Sequence, residues 1–251
     1  MPRTKKITQD IILRILQTAK NGGEGHVPSS LSILNILEVL YAYYIKKNGD
    51  NKFILSKGHG CISLYAILEK YKFIKNINTF CKFNSNFGGH PDSNKINGIE
   101  TSTGSLGHGF PFGIGLAMAK KIKNERGKII TLIGDGECNE GTIWESCLLA
   151  SHHSLNNLIC IVDHNKSTNR ALKVDDLNKK FSSFGWQTLS INGHNKNQIF
   201  KALKKQQKKP FAIIANTIKG KGIKFMENNP EWHHKKIDKK TIEKYILETI
   251  K

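Results

Sequence analysis

Apolar residues fall in two rhythms along this chain. Over 8–20 and 30–45 they recur at three- and four-residue intervals, the spacing of one helix face. "VPSS" at 27–30 supplies an N-cap signal for the second of these segments. Short apolar runs then take over, and 52–56 ("KFILS"), 128–133, 158–162, 187–191 and 211–217 read as strands. Helical spacing returns between them over 61–70, 110–123, 141–153 and 196–207, with one more short helix after Asp238. That alternation predicts an α/β fold, a doubly wound and mostly parallel sheet flanked by helices. Segment 76–108 is rich in Gly, Asn, Ser and Thr without periodicity, so a long functional loop is expected there. No internal repeat or linker breaks the pattern, and one domain over 1–251 is expected.

Composition changes this picture little. With 38% hydrophobic residues and no apolar run near the ~20 residues a bilayer crossing needs, the chain reads as a globular protein rather than a membrane one. Met1 to Asp10 is polar and basic, unlike a secretory leader. Cys61, Cys81, Cys138, Cys147 and Cys160 are odd in number and form no CxxC pair, which suits reduced thiols in the cytoplasm. A formal charge of +19 invites a nucleic-acid reading. Its chemistry argues against that, because only Arg3, Arg14, Arg126 and Arg170 carry the guanidinium fork that bases and phosphates favour. A solvated lysine face is the plainer account, and it can still attract anionic sugar phosphates.

The chemistry concentrates at "IITLIGDGECNEG", 129–141, where a buried-looking strand ends on Asp135 between two glycines. Ligands in open α/β sheets bind beyond the carboxyl ends of strands. The next predicted strand ends in "IVDHNKS", so Asp135 and Asn165 can reach the same sheet edge. A carboxylate and an amide oxygen suit Mg²⁺, which keeps water and phosphate for its other positions. Gly134 and Gly136 would let backbone approach a phosphate, with the Gly136 N–H as donor. Read alone, GDG is equally a strand-ending turn; Asn165 thirty residues on favours the metal. "KGKG" at 219–222 reads equally as a phosphate nest or an exposed turn.

"GDGECNEGTIWESCLLASHHSLNNLICIVDHN" resembles the thiamine diphosphate motif. More narrowly, the chain from about residue 7 to 234 resembles the N-terminal, diphosphate-binding half of transketolases, or the N-terminal subunit of split ones. "GGEGHVPSSLS", "FILSKGHG", "GGHPD", "STGSLGHGFPFGIGLA" and "TIKGKGIKFMENNPEWHH" match that family's motifs in order. The resemblance implies thiamine diphosphate and Mg²⁺ (or Ca²⁺ or Mn²⁺) as cofactors. It implies Asp135, the Asn165 side chain and the Ser167 carbonyl as metal ligands. Gly136 and Glu137 would form the diphosphate turn, and His59 would touch the diphosphate. Gly104 and Leu106 would support the aminopyrimidine ring. His26, His90 and His233 would line the substrate channel, orienting hydroxyls and moving protons, as imidazoles can near neutral pH. His233 is preferred over its neighbour His234. His152, His153, His164 and His194 match no motif and are expected at the surface. Glu140 would reach across a subunit interface. His108 departs from the family, which has Gln there, and so bears on the substrate.

The family's activating Glu lies on a pyrimidine-binding domain that these 251 residues do not contain. The expectation is therefore a subunit that works with a C-terminal partner chain, built on a homodimer core into a heterotetramer. The implied activity is two-carbon ketol transfer from a ketose, or ketose phosphate, to an aldose. A specialised ketol or acyl transferase for a nucleotide-linked or unusual sugar is the alternative within the class. A non-catalytic regulatory or nucleic-acid-binding protein reusing the fold is the alternative outside it. Salt-dependent DNA binding without thiamine diphosphate binding would mark that last reading.

Overall fold

The computed structural model describes residues 2–250. Its elements run α1 (Pro2–Gly22), α2 (Val27–Tyr43), β1 (Lys52–Leu55), α3 (Cys61–Lys70), α4 (Gly109–Ile122), β2 (Ile129–Gly134) and α5 (Gly141–His152). There follow β3 (Leu158–His164), α6 (Leu177–Ser183), β4 (Gln187–Asn192), α7 (Lys196–Lys204), β5 (Phe211–Asn216) and α8 (Lys239–Ile250). The strands pair in parallel in the order β1-β2-β3-β5-β4. This is the doubly wound α/β class expected from the alternation.

Winding direction explains where the helices lie. The chain steps outward from β1 to β3, skips a place to β4 at the edge, then returns to β5. Crossovers keep one hand, so reversing direction moves the connecting helix to the other face. Accordingly Ile143 and Cys147 of α5 and Phe181 of α6 pack with α4 on one face. Ile199 and Leu203 of α7 pack with α1, α2 and α3 on the other. Strand β2 serves both, giving Ile130 and Leu132 to one core and Ile129 and Ile133 to the other.

Two local readings need correction. Helix α2 begins at Val27, so "VPSS" is its first turn rather than its cap. Pro28 fits there because the first-turn N–H groups have no partner inside the helix. The cap position falls to His26, whose side chain makes no cap hydrogen bond. Helix α6 was not foreseen: only Leu177 and Phe181, one turn apart, mark its buried face. Its sequence signal is Asp176, whose carboxylate accepts the Lys179 N–H.

Between α3 and α4 the chain forms turns with neither helix nor strand. It is pinned nonetheless. Ile77, Phe80 and Ile96 are buried, and the Tyr65 hydroxyl donates to the carbonyls of Gly88 at 3.1 Å and His90 at 2.9 Å. Gly107 adopts φ +78°, and a Cβ there would lie 2.8 Å from the Glu140 Cβ, so this loop can seat on the start of α5 only with glycine at that position.

Candidate cofactor site

The carboxyl ends of β1, β2, β3 and β5 open into one cleft of about 680 Å³. Lys57 and His59 enter it after β1, Gly134 to Glu137 after β2, His164 to Thr168 after β3, and Thr217 and Lys219 after β5. Helices leave β3 and β5 toward opposite faces, which is how a doubly wound sheet makes a crevice.

The two motifs separated by thirty residues meet directly. Lys166 takes a left-handed backbone, φ 61°, and its N–H donates to Asp135 Oδ2 at 2.5 Å. The Ser167 N–H donates to Asn165 Oδ1 at 3.0 Å. Asp135 is buried, and its carboxyl is pushed above the usual range by desolvation and then by Asp163. A nearby cation would relieve that. Among the described residues no cluster of three or more His, Cys, Asp or Glu could hold a metal. The oxygen set of Asp135, Asn165 and the Ser167 carbonyl is instead the hard, sparse kind that Mg²⁺ completes with water and phosphate.

A diphosphate also fits what the fold leaves open. A Cβ on Gly136 would meet nothing nearer than Thr168 Oγ1 at 3.7 Å, so packing does not require the glycine and the space faces the cleft. Two cleft-lining residues, Ser29 and His164, hold buried polar atoms (Oγ and Nδ1) without a partner. Lys57 and Lys219 supply positive charge, and the Lys219 ammonium is lowered to about 8 by desolvation and by Lys57.

Glu137 has a different surrounding. Its buried carboxylate accepts from Ser56 Oγ at 2.6 Å, Gly107 N at 2.9 Å and Gly134 N at 2.8 Å. It thereby ties the end of β1, the 104–108 loop and the end of β2 together. Beside it, Lys57 and Asp163 form a fully buried ion pair at 2.5 Å.

Four histidines gather at the mouth. The His26 ring centroid lies 5.4 Å from His59, 5.3 Å from His233 and 4.5 Å from His234. His233 lines the cleft, and its Nδ1 is 2.9 Å from the Lys219 ammonium; His234 instead lies 3.9 Å from Glu24. Burial, then neighbouring cations and imidazoles, lower His26 to about 4 and His59 to about 2. Both rings are therefore neutral at pH 7. In the unfolded chain they titrate near 6.5. Unfolded chains then take up protons that the fold refuses, so stability is full above pH 6.5 and falls below it. The His26 share levels off near pH 4. Urea midpoints of His26→Asn should fall less steeply than wild type between pH 6.5 and 4.5; parallel profiles would remove His26 as a source.

The other expected residues are placed as follows. Leu106, Gly136, Glu137, Asn165 and Ser167 line the cleft with His59 and Asp135. The His90 ring packs on Gly104, about 3.2 Å from where a Cβ would stand. Glu140 packs beneath Gly107 and is not part of the cleft lining. His108 folds onto its own loop, Nδ1 2.9 Å from the Leu106 carbonyl. The nest reading of "KGKG" loses its basis because three of its four N–H groups are already bonded. Gly220 donates to Pro28 O, Lys221 to Ile218 O and Gly222 to Glu227 Oε1. Two histidines expected at the surface are not there. His164 lines the cleft, while His194 pairs Nδ1 with Asn35 and accepts the Ile218 N–H at Nε2. Lys57, Asp163, Ser29 and Lys219 were missed as site residues. The signal for Asp163 was the one that revealed Asp135, a carboxylate closing an apolar strand.

Fold and cleft together define an α/β domain with a cation-lined crevice at the sheet's carboxyl edge. The family model for the transketolase thiamine diphosphate-binding domain matches residues 4–245. The chain therefore belongs to the transketolase family of transferases, through its thiamine diphosphate-binding domain. It is 34% identical over 238 residues to an apulose-4-phosphate transketolase subunit of Phocaeicola vulgatus, covering 88% of this chain and 84% of that one. It is 38% identical over 232 residues to a 6-deoxy-6-sulfo-D-fructose transketolase subunit of a Clostridium species, covering 86% and 84%. The crystal structure of Campylobacter jejuni transketolase superposes with a TM-score of 0.86 at 29% identity, covering 96% of this chain but 42% of that one. The chain thus spans about two fifths of a full-length transketolase. Among the described residues no helix is long and apolar enough to cross a membrane.

Proposed function

We infer that this chain is the cofactor-binding subunit of a split transketolase, moving a two-carbon ketol unit from a ketose or ketose phosphate to an aldose. The observation that supports this best is the junction of Asp135 and the Asn165 turn through the Lys166 N–H. In this reading 1–251 is one diphosphate-binding domain. Asp135, Asn165 Oδ1 and the Ser167 carbonyl hold Mg²⁺, the Gly136 N–H and the neutral His59 donate hydrogen bonds to the diphosphate, and Lys219 offsets its charge. Gly104 and Leu106 support the ring, and Glu137 holds the turn in shape. When bound, thiamine diphosphate supplies the nucleophilic carbon that breaks and remakes the bond beside a carbonyl. His26, His90 and His233 orient the donor hydroxyls, and a neutral His26 can accept a proton from one of them.

The partner is a C-terminal subunit bringing the pyrimidine-binding domain and its Glu. Relatives named as subunits and covered over most of their length support that reading. Exposed Phe112 and Ile122 on α4, with Leu148 and Leu149 on α5, leave an apolar outer surface on two helices that pack together. This face is the proposed homodimer core of a heterotetramer. Free cysteines, mostly buried, fit a cytoplasmic setting.

The relatives' names favour a second reading of the substrate, an unusual sugar phosphate or sulfonate, and His108 is the residue on this chain that would tune it. The test mixes the chain with its partner, thiamine diphosphate and Mg²⁺, and follows ketol transfer from pentose phosphates, apulose 4-phosphate and 6-deoxy-6-sulfofructose. Transfer from at least one donor is expected; none from any would overturn the assignment.

A further inference from the structure

Asp163 is buried at the end of β3, two residues before Asn165, and it gathers four donors. Its Oδ2 accepts from Lys57 Nζ at 2.5 Å, Ser32 Oγ at 2.7 Å and Asn165 Nδ2 at 3.0 Å, and its Oδ1 accepts from Thr217 Oγ1. Burial alone would raise this carboxyl, but Lys57 and the hydrogen bonds outweigh it and hold it below the usual range. Lys57 is in turn fixed by the Ser29 carbonyl at 3.2 Å. The network therefore joins the ends of β1, β3 and β5 to the first turns of α2.

Its consequence falls on one amide. Asn165 gives Nδ2 to Asp163 and receives the Ser167 N–H on Oδ1. Rotating the amide by 180° would set oxygen against the Asp163 carboxylate and NH₂ against the Ser167 N–H. Both contacts would become repulsive, so only one orientation survives. A metal accepts the oxygen and rejects the NH₂.

We propose that Asp163, paired with Lys57, is a positioning residue that locks the Asn165 amide so that its oxygen, with one lone pair still open, is presented to the divalent metal. The inference rests on the reading that Asp135 and Asn165 hold that metal. Partners of this kind alter metal affinity by about 10–100-fold.

The test uses the full chain with thiamine diphosphate, reading bound Mn²⁺ by electron paramagnetic resonance. Asp163→Asn can donate as well as accept, so the amide lock is lost, and Mn²⁺ should bind at least about tenfold more weakly. The exchange variant Asp163→Asn/Asn165→Asp restores an oxygen at position 165 in either rotamer and keeps the net charge. Its Mn²⁺ affinity should return to within about fivefold of wild type. A role in folding alone would not be rescued this way. Wild-type affinity in Asp163→Asn, or no recovery in a folded exchange variant, overturns the proposal. Should the single variant not fold, the exchange variant decides by the same criterion. Asp135→Ala serves as reference: unchanged Mn²⁺ binding there would overturn the metal site itself rather than the lock.

Discussion

Asp135→Ala should lose thiamine diphosphate binding by more than about 100-fold, exceeding what loss of an outer partner does. The side chain gives the cleft one of its two lining carboxylates and receives the Lys166 N–H that folds the β3 turn toward the GDG turn. Removing it takes away the proposed metal ligand and leaves that N–H unanswered. Little stability should be lost, because a desolvated carboxylate whose pKa is raised is a burden on the fold without its metal. Calorimetric titration with Mg²⁺ present reads the affinity, and thermal unfolding without cofactor reads the stability. Wild-type affinity would take Asp135 out of the site.

Lys57→Met should have the opposite profile, with its largest effect on folding. Lys57 is among the largest fully buried side chains, and its ammonium faces a carboxylate that is also fully buried. Removing one member of such a pair strands the other charge, which costs about 3–5 kcal/mol. For a chain of this size that corresponds to a fall in Tm on the order of 10 °C. Adding Asp163→Leu should recover only part of the loss, because Ser32, Thr217 and Asn165 also donate to that carboxylate. Full recovery would mean that the ion pair alone matters. A loss below about 1 kcal/mol would mean that water reaches Asp163 once the lysine is gone.

How much of this was legible depended on whether the signal was local. The strands of the sheet were readable because apolar runs such as 129–133 and 158–162 can be satisfied only by burial on both sides. Asp135 and Asn165 were readable because each sets an oxygen-bearing side chain just past the end of an apolar strand. Glycine and histidine motifs located the mouth of the cleft. Helix α6 escaped because seven residues with two apolar contacts make too weak a period. Lys57 escaped because a lysine among lysines looks like surface, and only tertiary pairing with Asp163 reveals otherwise. His194 escaped for the same reason: its partners, Asn35 and Ile218, lie 159 and 24 residues away. Order along the sheet was likewise hidden, since no local pattern says that β5 inserts between β3 and β4.

The three-way grip of Glu137 has a thermodynamic corollary. Ser56, Gly107 and Gly134 belong to separate stretches of chain, yet all donate to one carboxylate. Shape at the floor of the cleft is thus fixed by the polypeptide itself, before any guest arrives. A guest entering a ready-made mould loses little affinity to ordering its host. Binding should accordingly show a small heat-capacity change, that of a docked ligand rather than of coupled folding. Tightness at this site would then be tuned by charge and fit alone, and the apo chain would be a stable part that can wait for both cofactor and partner.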